Sequence, residues 1–302
     1  MQTNRTENRT ERINKLQVID LFVLDIDGCI SHPFESPDWA AVSEIRKLNL
    51  RSRRERDIPG LTLCTGRPFP YAEAVAQWLD IRLPFVFESA GLYLPDTARI
   101  LSRYSSDRAA GKPGIDADSA ENSDPASEGS GAAGNGRSLQ PVIKFRRWLT
   151  DHLLPDYPNV MLEFSKMFDD GVVSPDREQI DRIYKQILEH ARNHYPDLEV
   201  HRTDVSVNTL LAGNNKGAGF ELLSRELDVP LARMAYIGDS EGDIMPLKRV
   251  KMPFAPSNAI EPVRDIAEVL PEETSQAVLE AYRRIIGRNE RNRSVTDPEN
   301  RE

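Results

Sequence analysis

The residues best suited to chemistry are two aspartates that follow an apolar run. Residues 21–24 (Leu-Phe-Val-Leu) precede Asp25 and Asp27, and Gly28 comes next. A continuous apolar run is typical of a strand covered on both faces of a parallel sheet, and side chains two residues apart point to the same side. Because an unpaired carboxylate is costly to bury, we expect solvent or a divalent cation beside them. The alternative is a surface Asp-x-Asp-Gly turn after an ordinary strand.

A second apolar run ends in a hydroxyl group and a glycine. Residues 61–64 lead into Thr65, Gly66 and Arg67, and a helix is predicted from about residue 70 to 79. The Thr65 hydroxyl and the backbone N–H groups at the start of that helix could donate hydrogen bonds to phosphate oxygens. Alternatively, Thr65 only caps the helix and Gly66 only makes the turn.

A lysine opens a predicted helix in the second half of the chain. Lys216 lies between a strand predicted over residues 205–211 and a helix predicted over residues 217–227. The start of a helix favours anions, so a lysine there indicates that it shares a phosphate or another anion. The alternative is a solvated loop lysine.

A fourth group repeats the acidic pattern of the first. The predicted strand over residues 233–237 is followed by Gly238, Asp239 and, four residues later, Asp243. Asp239 could ligate a hard cation, and Asp243 could reach a bound water or Lys216. The alternative for Asp239 is an N-cap. Together, acidic or hydroxyl groups after three strands and a lysine at a helix start predict a magnesium-assisted phosphoryl-transfer site.

In this order and spacing, the four groups resemble the four motifs of the haloacid dehalogenase superfamily of phosphatases. They most resemble the subgroup with an α/β cap between the second and third motifs, which includes Cof-type sugar phosphatases, sucrose-phosphate phosphatase and mannosyl-phosphoglycerate phosphatase. The match covers about residues 18–95 and 209–270 and is weak over the cap. The resemblance implies an α/β fold, with a Rossmann-like parallel-sheet core and an inserted α+β cap domain.

The resemblance also implies roles for individual residues and Mg²⁺ as the cofactor. Asp25 matches the nucleophile that becomes an aspartyl phosphate, and Asp27 matches the acid/base, whose backbone carbonyl would also ligate the metal. The implied catalytic residues are Asp25, Asp27, Thr65 and Lys216. The implied substrate contacts are Thr65, Gly66, Arg67, Asn215 and Lys216, and the implied metal ligands are Asp25, Asp27, Asp239 and Asp243.

One position departs from the subgroup. Its members commonly have Asn just before the last Asp of the fourth motif, where this chain has Gly242. The contact made by that amide must be lost or supplied elsewhere, for which Asn214 or Asn215 are candidates. In the cap, Lys166 and Arg202 are candidates for contacting a second anionic or hydroxyl group of the substrate.

Composition shifts predict the domain organisation. The predicted segments are a polar tail (1–17), an N-terminal core segment (18–95), a cap (96–207) with a disordered insertion at about 105–140, a C-terminal core segment (208–286) and a polar tail (287–302). In the cap we expect helices over residues 141–154 and 175–194, and strands over residues 159–168, 171–174, 198–201 and 206–211. The Asp169-Asp170-Gly171 sequence predicts a hairpin turn rather than a metal site.

Charge and cysteine content limit the class of partner. The net charge of -9 disfavours nonspecific binding to nucleic acid or anionic membranes. The polar N-terminal sequence and the lack of a long apolar stretch predict neither a signal peptide nor a membrane span. The two cysteines, Cys29 and Cys64, lie on apolar segments, and we expect buried free thiols in a reducing cytoplasm.

The predicted activity is therefore phosphate-ester hydrolysis. We expect a Mg²⁺-dependent phosphatase that acts, through an aspartyl phosphate, on a small phosphorylated metabolite such as a sugar phosphate or a phosphoglycolate-like acid. Two alternatives remain open. One is a phosphomutase or phosphotransferase of the same superfamily, and the other is a noncatalytic, phosphate-binding regulatory protein.

Overall fold

The computed structural model describes residues 17–102, 138–203 and 205–296. The N-terminal region of the chain forms alternating strands and helices and then an antiparallel meander. Its elements are β1 (Leu21–Leu24), α1 (Trp39–Ser52), β2 (Gly60–Leu63), α2 (Phe69–Trp78), β3 (Phe85–Phe87), β4 (Gly91–Leu94) and β5 (Arg99–Leu101).

The middle region of the chain forms a second unit of helices and strands. Its elements are α3 (Gln140–Trp148), which continues as a π-helical turn (Leu149–Leu153) and a 3₁₀ turn (Leu154–Asp156), then β6 (Met161–Leu162), β7 (Asp170–Val173), α4 (Arg177–His194), β8 (Leu198–Arg202) and β9 (Ser206–Leu211).

The C-terminal region returns to alternating helices and strands. Its elements are α5 (Lys216–Glu226), a 3₁₀ turn (Leu231–Arg233), β10 (Met234–Ile237), a 3₁₀ turn (Glu241–Asp243), α6 (Ile244–Leu247), β11 (Met252–Ala255), α7 (Glu261–Arg264), β12 (Glu268–Val269) and α8 (Thr274–Thr296).

The main sheet is parallel and has the strand order β12-β11-β10-β1-β2. The interior strand β1, which lies between β10 and β2, is fully buried, and this explains its uninterrupted apolar sequence. Its last residue, Leu24, is in register with Ile237 of β10 and Leu63 of β2. The chain runs outward from β1 to β2 and later returns on the other side as β10, so this edge has a topological switch point, where open α/β sheets bind ligands. The parallel α/β core is thereby confirmed.

The cap is built on an antiparallel sheet of order β6-β7-β9-β8. Helix α4 buries one stripe of apolar residues, Ile180, Ile183, Ile187 and Ala191, whose spacing of three or four residues places them on one face. The third sheet, β3-β4-β5, is also antiparallel. An α+β cap beside a parallel core is therefore confirmed.

Two details of the cap differ from the predictions. The strand expected over residues 159–168 is only the two-residue β6, and Asp170 opens β7 instead of forming a hairpin turn. Both aspartates are buried in ion pairs: Asp169 lies 3.1 Å from Lys166 Nζ, and Asp170 lies 2.7 Å from Arg146 Nε. The Asp-Asp-Gly pattern failed because Asp170 pairs with Arg146, 24 residues earlier in the chain, and local turn preferences do not reveal such a contact. Residues 105–137 of the predicted insertion lie outside the described residues.

The C-terminal sequence also behaves differently from the expectation. A polar tail was predicted from residue 287, but α8 continues to Thr296. Asn289 is buried, and its side chain accepts a hydrogen bond from Ile19 N and donates one to Ile19 O, both at 2.8 Å. A polar side chain here satisfies backbone groups beside β1, so polarity did not indicate exposure. Residues 1–16 of the predicted N-terminal tail are not described, and the predicted domain boundaries remain predictions.

Within the described ranges, we find no helix that is both long and apolar enough to cross a membrane.

Candidate active site

The first acidic group lies where β1 ends. Asp25 continues the strand ladder, since its N–H donates to Ile237 O at 3.1 Å, and its side chain is buried. Gly28 has a φ of +70°, and a Cβ built on it would lie 1.9 Å from Asp239 Oδ2. Glycine is therefore required twice, for the left-handed backbone and for the close approach of Asp239. The turn after β1 brings the first and fourth motifs together.

Lys216 joins these two motifs directly. Its buried Nζ lies 2.7 Å from Asp25 Oδ2 and 2.8 Å from Asp243 Oδ1. Burial opposes the charge of Lys216, but the two carboxylates outweigh that effect and raise its pKa well above the usual range. The interpretation of Lys216 as a solvated loop lysine is wrong. The anion at the start of α5 is a pair of protein carboxylates.

Asp243 is held by donors on every side. Its Oδ1 also accepts a hydrogen bond from the Tyr236 hydroxyl at 2.7 Å, while Oδ2 accepts from Ser240 Oγ at 2.8 Å, Ser240 N at 3.0 Å and Asp239 N at 3.2 Å. Burial opposes ionisation, yet Lys216 and these hydrogen bonds together lower the pKa of Asp243. Sequence reasoning missed Ser240 and Tyr236. The Ser-x-x-Asp spacing of a capping box could have indicated Ser240.

Three carboxylates at this edge could hold a metal ion. Asp25, Asp239 and Asp243 each offer an oxygen, and these atoms all lie within 4.8 Å of one another. Burial raises the pKa of Asp25 to about 7 and that of Asp239 to about 8, and the nearby Asp243 carboxylate adds to both shifts. The positive charge of Lys216 does not balance three carboxylates. An all-oxygen donor set with surplus negative charge fits a hard divalent cation such as Mg²⁺.

Asp27 is not one of these three carboxylates and is bound by an arginine. The Arg67 guanidinium donates through Nε and Nη2 to the two Asp27 carboxylate oxygens at 2.7 and 2.6 Å. Arg67 also lies over the Tyr71 ring, 4.9 Å from its centre. The Asp27 side chain keeps 36% of its surface exposed, so it remains open to solvent or a ligand. Asp27 is thus oriented by a planar, bidentate ion pair.

The second motif forms a tight loop beside this pair. Thr65 is buried, and its Oγ1 accepts a hydrogen bond from Arg67 N at 3.1 Å. The backbone N–H of Thr65 donates to Val86 O at 3.1 Å. A Cβ on Gly66 would approach only Ser89 Oγ, at 3.7 Å, which is ordinary contact. The loop is therefore fixed by its backbone and by the Thr65 hydroxyl rather than by a steric need for glycine.

The two asparagines before Lys216 differ in their contacts. Asn215 is the N-cap of α5, and its side-chain oxygen accepts a hydrogen bond from Ala218 N at 3.1 Å. Asn214 is buried, and neither polar atom of its side chain has a hydrogen-bond partner among the described residues. The Asn215 side chain is already engaged, whereas the buried Asn214 amide has no hydrogen-bond partner among the described residues.

Other predicted residues have protein partners of their own. Lys166 is buried in the cap, 3.0 Å from Glu163 Oε2, and Arg202 lies 2.6 Å from Asp181 on α4. Cys29 and Cys64 are free and buried, as expected, and burial raises the pKa of both thiols.

Position 242 shows no steric need for glycine. The nearest atom to a Cβ built on Gly242 is Lys216 Cε at 3.7 Å. A Cβ at this position therefore makes only ordinary van der Waals contact with Lys216.

Comparison with known proteins supports this arrangement at the level of family and fold. A sequence model of haloacid dehalogenase-like hydrolases matches residues 22–281. No curated protein matches the chain. A haloacid dehalogenase-like hydrolase from Bacteroides thetaiotaomicron is 15% identical with a TM-score of 0.60, covering 88% of this chain and 99% of its own.

Two further solved structures share the fold. A HAD/COF-like hydrolase from Plasmodium vivax is 14% identical with a TM-score of 0.62, covering 90% of this chain and 96% of its own. The sucrose-phosphatase from Synechocystis sp. PCC6803, solved with sucrose and phosphate, is 13% identical with a TM-score of 0.52, covering 89% of this chain and 98% of its own. Because the family match spans most of the sequence and the same fold recurs in these structures, the chain belongs to the haloacid dehalogenase-like hydrolases.

Proposed function

We propose that this protein is a Mg²⁺-dependent phosphatase that hydrolyses a small phosphorylated metabolite, with a sugar phosphate or a phosphoglycolate-like acid as substrate. The observation that carries the proposal is the buried Lys216 bound between Asp25 and Asp243, with Asp239 adding a surplus carboxylate. Such an edge attracts a cation, and the cation in turn attracts a phosphate ester.

The proposed reaction has two displacements at phosphorus. An Asp25 carboxylate oxygen attacks phosphorus and forms an acyl phosphate, the ester P–O bond breaks, and Asp27 gives a proton to the leaving alkoxide. Asp27 then takes a proton from water, whose oxygen attacks phosphorus, so that the bond to Asp25 breaks and phosphate leaves. The bidentate contact with Arg67 orients the Asp27 carboxylate for taking the proton from water, and it must open at one oxygen when Asp27 carries the proton that it gives to the alkoxide.

The metal and the substrate phosphate have separate proposed partners. Asp25, Asp239 and the backbone carbonyl of Asp27 would hold Mg²⁺, which when bound draws negative charge from the transferring phosphoryl group. Asp243 completes the predicted acidic set, and we propose that it acts by fixing Lys216, because hydrogen bonds already engage both of its oxygens.

The phosphoryl oxygens are proposed to meet donors from the second and third motifs. These donors are the Thr65 hydroxyl, Lys216 Nζ and the backbone N–H groups around Gly66 and Arg67. Asn214 is proposed as a substrate contact in place of Asn215, because its buried amide lacks a partner in the described chain while Asn215 caps a helix. The two buried free thiols agree with action in a reducing cytoplasm, which is also proposed.

Phosphate release from a panel of compounds tests the function. The panel contains sugar phosphates, phosphoglycolate, phosphoglycerates and nucleotides, each with Mg²⁺ and with EDTA. We expect release that requires Mg²⁺ and ranks a small metabolite first. Transfer to an added alcohol without release to water would favour a mutase or phosphotransferase, and a long-lived phosphoaspartate without release would favour a regulatory role.

A further inference from the structure

The turn between β3 and β4 has an unusual backbone. Glu88 and Ser89 have φ values of +44° and +60°, a region that residues other than glycine rarely adopt. Two consecutive residues in this conformation are disfavoured unless the surroundings hold them there. The contacts of this turn show what it connects.

The backbone of the turn is attached to the catalytic loop. Glu88 N donates to Arg67 O at 3.0 Å, and Ser89 N donates to Thr65 O at 3.0 Å. On another side the turn meets α5, because a Cβ on Gly219 would lie 2.4 Å from Ser89 O. The turn therefore touches both the loop that contains Thr65 and Arg67 and the helix that begins at Lys216.

The side chain of Glu88 reaches into the cap. Its carboxylate accepts hydrogen bonds from three consecutive backbone N–H groups: Met167 at 2.8 and 3.0 Å, Phe168 at 2.6 Å and Asp169 at 3.3 Å. Consecutive N–H groups aimed at one anion form a strong binding concavity. Burial raises the pKa of Glu88, although these N–H groups and Lys166 act in the opposite direction.

Apolar packing reinforces this contact. The Phe168 ring lies 5.7 Å from the Phe87 ring, and a Cβ on Gly91 would lie 2.6 Å from Phe168 Cε2. The adjacent Lys166 is itself buried among cap residues. The cap segment 166–169 is thus held on the β3–β4 turn by both polar and apolar contacts.

We propose that Glu88 is a positioning residue that seats the cap segment 166–169 over the Thr65–Arg67 loop. Binding of substrates long enough to reach the cap depends on the position of this segment, whereas binding of a substrate that occupies only the phosphate site does not. The kinetic side of this inference rests on the proposed phosphatase activity.

Hydrogen exchange tests the contact between Glu88 and the cap segment 166–169 without requiring catalysis. Glu88→Gln keeps the shape of the side chain but loses the charge that strengthens the three hydrogen bonds. We expect the amides of Met167, Phe168 and Asp169 to exchange at least about tenfold faster in this variant, the effect of weakening one charge-assisted hydrogen bond. Glu189→Gln, on the exposed surface of α4, is the matched control and leaves these rates unchanged. Unchanged exchange in Glu88→Gln would overturn the proposal.

Kinetics separate positioning from a general structural defect. For the best sugar phosphate, we expect Glu88→Gln to raise KM about tenfold, while kcat/KM for acetyl phosphate stays within about twofold. Glu88→Asp, which keeps the charge, recovers some of the lost affinity and guards against misfolding of the first variant. An equal loss for both substrates would overturn the positioning role. If the wild type releases no phosphate at all, the proposed function fails, and hydrogen exchange still decides the role of Glu88.

Discussion

Two buried lysines in this protein have similar partners in different places. In the core, Lys216 contacts Asp25 and Asp243 at 2.7 and 2.8 Å. In the cap, Lys166 contacts Glu163 and Asp169 at 3.0 and 3.1 Å. In each case burial opposes the ammonium charge, nearby carboxylates outweigh it, and the lysine pKa is raised.

The two sites differ in the third carboxylate near each lysine, which is the one that the lysine does not bind. Near Lys166 the additional carboxylate is Glu88, which is bound by backbone N–H groups, and Asn208 Oδ1 accepts a further hydrogen bond from Lys166 at 2.7 Å. Near Lys216 the additional carboxylate is Asp239, for which no side-chain hydrogen bond is found among the described residues. A buried lysine between two acids is therefore not sufficient to indicate catalysis. A surplus carboxylate that has neither an ion-pair partner nor a hydrogen-bond donor of its own among the described residues distinguishes the candidate active site from the structural network.

Exchanging each lysine for methionine gives the largest contrast. We expect Lys216→Met to lower kcat/KM for acetyl phosphate by about 10²–10³-fold, because a charge that stabilises the transferring phosphoryl group is lost. Lys166→Met should leave this small-substrate activity nearly intact but destabilise the protein by about 3–5 kcal/mol, since buried carboxylates lose their partner. Steady-state kinetics and urea unfolding measure both quantities. Equal activity losses in the two variants would break the distinction between the networks.

Metal binding should depend on the surplus carboxylate in the core. We expect Mg²⁺ at about 100 times its dissociation constant to stabilise the wild type by about 2.7 kcal/mol, and Asp239→Asn to abolish most of that gain. Asp170→Asn, which alters a buried carboxylate paired with Arg146 in the cap, is the matched control and should keep the Mg²⁺ effect. Thermal unfolding with Mg²⁺ and with EDTA provides the measurement. Stabilisation that survives Asp239→Asn would place the metal elsewhere.

The Mg²⁺ effect should also grow with pH. Because burial raises the pKa of Asp25 to about 7 and of Asp239 to about 8, the metal-free folded protein holds protons that the unfolded chain releases above about pH 4. Metal-free stability from these groups therefore falls as pH rises from about 4 to 8. The lowered pKa of Asp243 acts below pH 3.8 and does not oppose this trend.

A cation must displace those protons, so Mg²⁺ stabilises the protein more at pH 8.5 than at pH 6. Unfolding at the two pH values, with and without Mg²⁺, measures this difference. A Mg²⁺ effect of the same size at both pH values would contradict the proposal that Mg²⁺ replaces protons held by Asp25 and Asp239.

The smallest expected effect concerns the departure from the subgroup. Since a Cβ at Gly242 makes only ordinary contacts, the nearest with Lys216 Cε at 3.7 Å, we expect Gly242→Asn to change the free energy of unfolding by no more than about 0.5 kcal/mol. Turnover should change little, because Lys216 keeps its contacts with Asp25 and Asp243. Urea unfolding and kcat measurements test both expectations. A large gain in turnover would mean that the Lys216 network is incomplete without the amide.

Sequence patterns predicted the features of the site that are local. Asp25, Thr65 and Asp239 each follow an apolar strand, and strand ends in a parallel sheet meet at one edge, so their proximity follows from the fold class. The pairing of Lys216 with Asp25 was not predicted in detail, because it depends on how α5 packs against β1. The sequence identified the carboxylates but not the full set of ion pairs that they make.

Contacts made across long sequence distances were missed. Glu88 binds the backbone of Met167 and Phe168, and Asn289 binds Ile19. Neither contact leaves a sequence motif, because the partners are backbone groups, which are the same in nearly every residue. The predicted turn at Asp169 and Asp170 failed for a related reason, because the ion pair of Asp170 with Arg146 joins β7 to α3.

The most direct test of the central claim is phosphate release by Asp25→Asn beside the wild type, on the best compound of the panel and with Mg²⁺ present. The amide cannot act as the nucleophile, so we predict a folded variant, verified by its thermal unfolding, that releases no phosphate above background. Turnover by purified Asp25→Asn at a rate near that of the wild type would contradict the aspartyl-phosphate mechanism and the assignment of this sheet edge as the active site.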